Sequence, residues 1–183
     1  MIIIFGPAGS GKSVQGQLLA KNNNWKWLSA GQLLRESHDS ELLDIINTGE
    51  LAPADKVNEI MAEAFKQSAD MDRIILDGFP RQVEQAKWLI ENSPFHGHCV
   101  GAIIVLDVDK SELIKRLVLR GRPDDTPEAI EERLDIYHEK INPVISYFES
   151  QGVAVLHIDG IGTVEQIHDR IMEKLAECKI VKK

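Results

Sequence analysis

Short runs of apolar residues recur along the chain, and most of them are rich in isoleucine and valine. Runs of this length and composition, stopped by glycine or polar residues, predict strands that are buried on both faces of a sheet. The predicted strands cover residues 2–5, 27–29, 73–76, 102–106 and 153–158.

Longer segments between these runs carry their apolar residues at the spacing of one helix face. The predicted helices cover residues 12–21, 32–46 with a break near His38, 54–67, 82–90, 111–119, 127–148 and 163–176. Pro143 is expected to kink or split its helix, with Asn142 as a new cap. Strands that alternate with helices predict an α/β fold in which helices cover both faces of a parallel sheet.

The bulk properties of the chain fit one compact domain and exclude several function classes. Its 183 residues carry a formal net charge of -8, so we expect no general affinity for nucleic acid or acidic membranes. No apolar run approaches the length of a membrane span, and two cysteines are too few for a disulfide framework. We therefore expect a cytoplasmic protein, and we interpret His96 and His98 as solvated loop residues.

The segment from Gly6 to Ser13 reads Gly-Pro-Ala-Gly-Ser-Gly-Lys-Ser and lies between the first predicted strand and the first predicted helix. Glycines at this spacing let several backbone N–H groups point at one phosphate, and the N-terminus of the helix adds its partial positive charge. Lys12 adds a full charge near the β- and γ-phosphates of ATP. The predicted ATP-binding residues of this phosphate loop are Gly6, Ala8, Gly9, Ser10, Gly11, Lys12, Ser13 and Val14.

Asp77 follows the predicted strand at residues 73–76, at the edge of the sheet where the phosphate loop also lies. A carboxylate at this place can hold Mg²⁺ or its water ligands, and the Ser13 hydroxyl is suited to the same ion. The alternative for Asp77 is a capping aspartate in an ordinary turn after a strand. Since the chain also carries a phosphate loop, the magnesium role is favoured, and Ser13 and Asp77 are the predicted metal ligands.

A phosphate loop occurs in ATPases, GTPases and many small-molecule kinases, so other segments must decide between them. Three follow in order, namely Ser-Ala-Gly-Gln-Leu-Leu-Arg at residues 29–35, Asp-Gly-Phe-Pro-Arg at 77–81 and Gly-Arg-Pro-Asp-Asp at 121–125. In order and spacing they resemble signature segments of the adenylate kinase and UMP/CMP kinase family. The resemblance extends from the phosphate loop to the helix that contains Tyr137 and Pro143.

The resemblance implies a phosphate-loop α/β fold with a five-stranded parallel sheet, a helical insert that binds a nucleoside monophosphate, and a short lid over ATP. The single domain at residues 1–183 would divide into a core at 1–28, 68–119 and 127–183, an insert at 29–67 and a lid at 120–126. It also implies an enzyme that uses Mg²⁺ and moves the γ-phosphoryl group of ATP to a nucleoside monophosphate. A monomer is expected because no long apolar patch is evident.

The resemblance assigns most of the expected site to arginines, which supply the positive charge and alignment that phosphoryl transfer needs. Arg35 and Arg81 would grip the acceptor phosphate. The arginines expected around the transferring group and the ATP phosphates are Arg116, Arg120, Arg122 and Arg133. For each arginine the alternative is a solvated charge on a helix face, and the acidic neighbours of Arg133 make a surface salt bridge its alternative.

Two sets of expected residues complete this site. The expected catalytic residues are Lys12, Asp77, Arg81, Arg122 and Arg133. The expected residues of the acceptor site are Ala30, Arg35, Glu50, Leu51, Ala52, Gly78, Arg81, Gln85, Arg122 and Arg133. Gly162 is expected, by its position, to offer a backbone carbonyl to the adenine of ATP.

Two positions bear on the identity of the acceptor base. Gln85 lies four residues after Arg81, where family members that use AMP carry a glutamine, and its amide offers one donor and one acceptor to adenine. Ala30 stands where adenylate kinases usually carry threonine and UMP/CMP kinases often carry alanine. AMP is therefore the favoured acceptor, and UMP or CMP is the alternative.

The sequence departs from the family pattern at two places. Ser13 replaces a glycine that is frequent in adenylate kinases, and only Gly121 separates Arg120 from Arg122, where family members carry a longer segment. A kinase for another small molecule and a nucleotide-binding module without turnover are the competing hypotheses. The Asp77–Arg81 segment with Gln85 argues against a kinase for another small molecule. The complete set of Lys12, Asp77 and six arginines argues against a binding module without turnover.

Overall fold

The computed structural model describes residues 1–48, 52–68, 73–120 and 127–181. All neighbouring strands pair in parallel, and their order across the sheet is β2-β3-β1-β4-β5. The strands are β1 (Ile2–Phe5), β2 (Lys26–Ser29), β3 (Ile74–Asp77), β4 (Ala102–Asp107) and β5 (Ala154–Asp159). The predicted five-stranded parallel sheet is confirmed.

Helices cover both faces of the sheet, which confirms the predicted three-layer α/β fold. They are α1 (Lys12–Asn23), α2 (Ala30–Glu36), α3 (Ser40–Thr48), α4 (Ala54–Lys66), α5 (Val83–Asn92), α6 (Lys110–Arg120), α7 (Pro127–Ser150) and α8 (Val164–Glu177). A short 3₁₀ helix, Ser93–His96, follows α5. None of the helices that the structure describes is long and apolar enough to cross a membrane.

The central strand β1 contributes to two separate cores, one on each face of the sheet. Ile3 and Phe5 belong to the larger core, which α4, α5 and α7 cover. Ile2 and Ile4 belong to the core under α1 and α8. Because helices cover both faces, every position of β1 is apolar and buried.

A third, smaller core attaches the phosphate loop to the helices that follow β4. Leu113 and Leu117 of α6 pack against Ile130 and Leu134 of α7, and Ala8 of the loop lies against them. The helices that precede and follow residues 121–126 therefore meet beside the phosphate loop.

Of the two outcomes predicted for Pro143, a helix split at an Asn142 cap is wrong, because α7 continues through the proline as one element, and a kink stays a prediction. Proline lacks the N–H group that would bond the carbonyl of Glu139. Glu139, Asn142 and Pro143 are all exposed, so water can satisfy that carbonyl. On the opposite face, Ile141 and Val144 stay buried in the larger core and hold the helix in place.

The expected insert begins directly at the end of β2. The hydroxyl oxygen of Ser29 accepts a hydrogen bond from the N–H of Gln32 at 3.4 Å and caps α2. Leu34 of α2 and Val57 of α4 are buried in the larger core. The described part of the insert is therefore anchored to the sheet, while its exact division from core and lid stays a prediction.

His98 is buried, so its interpretation as a solvated residue is wrong. Its side chain is 4% exposed, and its ring centroid lies 6.3 Å from that of Phe65. Burial lowers the pKa of His98 below its ordinary value, and the nearby amino group of Met1 lowers it further, while a hydrogen bond to the backbone of Ser68 opposes both effects. The polar sequence around His98 concealed this environment.

We expect the free energy of unfolding to fall as the pH is lowered from about 7.5 to about 5.5. The pKa of His98 is lower in the folded protein than in the unfolded chain, so the unfolded chain binds more protons between the two values. The Met1 amino group acts in the same direction, since burial lowers its pKa to about 6. Urea denaturation at a series of pH values measures the slope. Replacing His98 by glutamine should flatten it, and an identical slope in both proteins would contradict the assignment.

Candidate active site

The phosphate loop curls between the end of β1 and the start of α1. Gly9 and Gly11 have φ angles of 84° and 89°, a left-handed conformation that favours glycine. Gly11 is the N-cap of α1 and provides no side chain to accept a hydrogen bond from the helix. The first N–H groups of α1 are therefore available to a phosphate, whose negative charge the helix N-terminus also attracts.

Lys12 begins α1 and lies against the curled loop. Its Nζ atom is 3.5 Å from the carbonyl oxygen of Pro7, and the residue is half-buried. A positive charge thus lies beside the same backbone that would surround a phosphate. This placement suits contact with the β- and γ-phosphates of a nucleotide.

Ser13 and Asp77 meet because β3 lies next to β1 in the sheet. The Ser13 hydroxyl donates to Asp77 Oδ2 at 2.5 Å, and Asp77 is 3% exposed. Mg²⁺ takes few ligands from protein and the remainder from phosphates and water, so this oxygen pair fits one side of a nucleotide-bound Mg²⁺. Within the described part of the chain, no group of three histidine, cysteine or acidic residues forms a separate metal site.

Arg81 lies four residues after Asp77, beyond the same end of β3. Its Nε atom donates to the carbonyl of Gly78 at 3.1 Å, in the turn that directly follows Asp77. The side chain reaches solvent, but protein atoms surround it closely enough that desolvation lowers the pKa of Arg81, while the Asp77 carboxylate opposes this shift. An arginine keeps its charge under such a shift, so Arg81 can bind an anion next to Asp77.

Gln85 supports the backbone of Arg81. It is 3% exposed on α5, and its Oε1 atom accepts the N–H of Arg81 at 2.7 Å. The carbonyl half of the amide therefore has a structural partner. The NH₂ half is the part best suited to reading a ligand, whereas the sequence had suggested that both halves would do so.

Among the described residues of the insert, the predicted acceptor contacts are one exposed charge and two buried alanines. Arg35 is exposed in the last turn of α2, and its Nη1 atom would lie 3.5 Å from a Cβ placed on Gly31. Ala30 and Ala52 are 3% and 7% exposed, with their side chains in the larger core. At these two positions only the backbone is suited to contact a base.

Arg116 faces the loop after β5, whereas the resemblance had assigned it to the transferring group and the ATP phosphates. Its Nε atom pairs with Glu112 Oε1 at 2.9 Å, and its Nη2 atom donates to the carbonyl of Gly160 at 3.0 Å. Glu112 compensates its charge within the same helix. Arg116 therefore lies close to Gly162, at the place expected for the donor base.

An exposed apolar surface lies beside this loop. The N-termini of α1 and α8 lie side by side, since Gln15 Nε2 donates to the carbonyl of Val164 at 2.8 Å. Val14, Ile161 and Val164 are 49%, 41% and 41% exposed there. Sequence reasoning named Val14 but missed Ile161 and Val164, although large apolar residues around a glycine after a strand were a usable signal. The surface suits the flat face of a base.

The sequence also left unpredicted a cavity of about 480 Å³ on the opposite face of the sheet, between the ends of β4 and β5 and the helix α7. Its lining includes Asp107 and His157, whose Oδ2 and Nδ1 atoms lie 2.9 Å apart, and Tyr137. The buried hydroxyl of Tyr137 has no hydrogen-bond partner among the residues that the structure describes, and burial raises the pKa of Tyr137. These residues come from distant segments, so no local pattern reveals them.

Several predicted site residues lie outside the part of the chain that the structure describes. They are Glu50, Leu51 and Arg122, together with the side chains of Arg120 and Arg133. Arg120 is the last residue of α6 and Arg133 lies within α7. The roles of these five residues stay predictions.

Comparison with known proteins decides the family. The family model for adenylate kinase matches residues 4–153. The chain belongs to the adenylate kinase family. The adenylate kinase of Parabacteroides distasonis is 36% identical, with 97% of this chain and 98% of the relative covered. The prediction of a phosphotransferase of the adenylate kinase family is confirmed, while a monomeric state and a cytoplasmic location stay predictions.

Two other relatives are of similar length and similarity. The adenylate kinase of Thermus thermophilus is 33% identical, with 95% of this chain and 96% of the relative covered. That of Mycobacterium leprae is 31% identical, with 96% of this chain and 99% of the relative covered. The similarity to adenylate kinases thus extends over almost the whole chain.

Proposed function

We propose that this member of the adenylate kinase family transfers the γ-phosphoryl group of ATP to AMP and forms two molecules of ADP. One observation carries the proposal. The 2.5 Å hydrogen bond between Ser13 and Asp77 joins the phosphate loop to the strand that is followed by Arg81 and, in the first turns of α5, by Gln85, which bonds the N–H of Arg81. Neighbouring strands lie about 4.8 Å apart, so a donor phosphate and an acceptor phosphate at these places are within reach of each other.

The donor half of the reaction relies on the phosphate loop. The N–H groups at the start of α1, which no side chain caps, and the ammonium of Lys12 would hold the β- and γ-phosphates of ATP. As the bond to the γ-phosphorus breaks, negative charge grows on the oxygen of the β-phosphate that leaves. A fixed positive charge at that oxygen stabilises the transition state more than the bound substrate.

Ser13 and Asp77 would hold the Mg²⁺ of the ATP complex, directly or through water. Bound there, the ion would neutralise charge on the β- and γ-phosphate oxygens. Asp77 is nearly fully buried and would thus keep its carboxylate in one place for this purpose.

The acceptor half relies on Arg81. Its planar guanidinium can donate two hydrogen bonds to the phosphate of AMP and align one phosphate oxygen with the γ-phosphorus. That oxygen attacks the γ-phosphorus in line, the bond from this phosphorus to the oxygen of the β-phosphate breaks, and the electron pair leaves with ADP. The protein contributes alignment and charge and needs no nucleophile of its own.

The test of this proposal is an acceptor panel. Purified protein is given ATP with AMP, UMP, CMP or GMP, with and without Mg²⁺, and the formation of ADP is followed in a coupled assay. We expect AMP with Mg²⁺ to give the fastest turnover. Faster turnover with UMP or CMP would overturn the assignment of the base, and no acceleration by any acceptor would overturn the kinase proposal itself.

Gln85→Glu should raise KM for AMP by about tenfold and change KM for UMP by less than about threefold. Glutamate keeps an oxygen for the N–H of Arg81, with which Gln85 Oε1 bonds at 2.7 Å, but it replaces the NH₂ donor that would reach the ring nitrogen of adenine. Steady-state kinetics with both acceptors measures the two changes.

A matched control is Gln151→Glu, which makes the same change at an exposed turn after α7. It should leave both KM values unchanged. If Gln85→Glu raised KM for AMP and UMP equally, Gln85 would be a support for Arg81 and would have no part in reading the base.

A further inference from the structure

Arg170 of α8 binds the loop that follows β5. Its Nη1 atom donates to the carbonyl oxygens of Asp159, at 2.8 Å, and Ile161, at 2.6 Å. The same atom lies 3.5 Å from Asp159 Oδ2, and Asp159 Oδ1 accepts the N–H of Ile161 at 2.9 Å. Hydrogen bonds from a charged donor are stronger than neutral ones, so a single guanidinium closes this turn.

Gln166, one helical turn before Arg170, binds the next part of the loop. Its Oε1 atom accepts the N–H of Thr163 at 2.9 Å, as part of the capping box that starts α8. Residues four apart share one face of a helix, so Gln166 and Arg170 reach the loop from the same side. From α6, Arg116 binds the carbonyl of Gly160 at 3.0 Å.

These bonds set the direction of the two peptide groups on either side of Gly162. In a trans peptide the C=O and N–H groups point in opposite directions. Because the carbonyl of Ile161 faces Arg170, the N–H of Gly162 points away from Arg170. Because the N–H of Thr163 faces Gln166, the carbonyl of Gly162 points away from Gln166. Among the described residues, neither group of Gly162 has a backbone hydrogen-bond partner.

Gly162 itself does not enforce this arrangement. Its φ angle is 127°, and glycine tolerates such angles and many others at little cost. A Cβ at this position would lie 2.6 Å from Gln166 Oε1, so the close approach of the α8 side chains also needs glycine. The side chains of α8 therefore decide which backbone group the loop presents.

We infer that Arg170 is a positioning residue, assisted by Gln166, that sets the preference of this enzyme for adenine over guanine in the phosphoryl donor. The inference rests on the proposed function, in which Gly162 meets the base of the donor nucleotide. Adenine carries an amino group at the position where guanine carries an oxygen. The carbonyl of Gly162, held by Gln166, accepts a hydrogen bond from the amino group of adenine and repels the oxygen of guanine. The N–H of Gly162, which Arg170 directs to the same side, donates to the neighbouring ring nitrogen of adenine, where guanine carries a hydrogen.

Loss of Arg170 would weaken this discrimination. Without the bond to Ile161, the peptide between Ile161 and Gly162 can rotate, which turns the N–H of Gly162 away from the base and turns the carbonyl of Ile161 toward it. A carbonyl at that place repels the unprotonated ring nitrogen of adenine and can accept a hydrogen bond from the ring N–H of guanine. GTP would then become a better donor as ATP becomes a worse one.

The test compares three variants with ATP and GTP as donors and AMP as acceptor. Arg170→Met removes the charged donors and keeps an unbranched side chain, while Arg170→Lys returns one charged donor. The matched control is Lys174→Met, which removes a charge one turn further along α8, where Lys174 pairs with Glu177 at 2.9 Å. Calorimetric titration with each donor measures affinity without turnover, and thermal melting reports folding.

For Arg170→Met, we expect KM for ATP to rise about tenfold and the ratio of kcat/KM for ATP to that for GTP to fall about tenfold. KM for AMP should change by less than about twofold. The ratio for Arg170→Lys should lie between those of Arg170→Met and the unaltered protein, and the ratio for Lys174→Met should equal that of the unaltered protein. If Arg170→Met does not fold, the ratio for Arg170→Lys decides, since it should lie below that of the unaltered protein.

Two outcomes would overturn the inference. One is a folded variant of Arg170 in which the ratio of kcat/KM for ATP to that for GTP is unchanged, while the unaltered protein phosphorylates AMP. The other is an equal rise of KM for ATP and AMP, which indicates general damage to the fold. Failure of the unaltered protein to phosphorylate AMP is a different result and would overturn the proposed function.

Discussion

Replacing Lys12 by methionine should lower kcat by about a thousandfold and change the affinity for AMP by less than about twofold. The ammonium of Lys12 lies against the phosphate loop, 3.5 Å from the carbonyl oxygen of Pro7, on the donor side of Asp77. Its charge matters most when the bond to the γ-phosphorus breaks, whereas AMP binds on the other side of Asp77. Steady-state kinetics gives kcat, and calorimetric titration gives the affinity for AMP.

Lys21→Met is the matched control, because Lys21 is an exposed lysine in the last turn of the same helix. It should leave kcat and the affinity for AMP unchanged. If Lys12→Met weakened AMP binding as strongly as it lowered kcat, the lysine would support the whole site and would have no specific role at the donor phosphates.

Arg81→Met should lower kcat/KM for AMP by about a thousandfold. Arg81 lies in the turn after Asp77 and is turned back by its 3.1 Å bond to the carbonyl of Gly78. Methionine keeps the apolar part of the side chain but loses both the charge and the fork that align the acceptor phosphate. Kinetics with AMP varied at saturating ATP measures the loss, and the affinity for ATP should stay within about threefold.

Arg73→Met is the control for this variant, since Arg73 lies just before β3 and Arg81 lies just beyond its other end. The Arg73 guanidinium carbon lies 5.2 Å from the centroid of a Trp25 ring, a contact worth at most about 1 kcal/mol of stability. The control should lose a little stability and no activity. Similar kinetic losses in both variants would show that charge near β3, wherever it lies, accounts for the effect.

The variants Lys12→Met and Arg81→Met should change different kinetic constants, because the two side chains lie at different parts of the site. Lys12 would contact the group whose charge changes during the reaction, so its loss should appear mainly in kcat. Arg81 would contact a phosphate that must be bound before the reaction begins, so its loss should appear in both KM and kcat. A kinetic profile in which both variants affected the same constant would argue against this division of the site.

Much of the fold was predictable because it follows from local pattern. Residues 2–5 are continuously apolar, and the structure buries each of them, since a central parallel strand has helices on both faces. Wrong predictions concern residues whose partners are distant in the chain. The polar neighbours of His98 suggested exposure, but packing against Phe65 buries it. Pro143 suggested a helix break, but core contacts on the opposite face keep α7 continuous.

In the candidate site too, features that follow from local sequence were predictable, and contacts between distant residues were not. The glycines between Gly6 and Ser13, together with the helix that follows, favour the curled backbone of this segment. The phosphate loop was therefore evident from the sequence. The predicted role of Arg116 at the phosphates stays a prediction, whereas its bonds to Glu112 and Gly160, which place it at the loop after β5, were not evident from the sequence. Nothing near Arg170 in the sequence indicates that it binds that loop.

The sequence by itself determined the α/β fold, the phosphate loop and the family, because periodicity, glycine positions and short motifs act through neighbouring residues. The tertiary structure decided which distant groups meet: Ser13 with Asp77, Gln85 with the backbone of Arg81, and Arg170 with the loop at Gly162. The physical reason is that strand order and helix packing, which bring segments together across long stretches of chain, depend on the whole molecule reaching one common minimum of free energy.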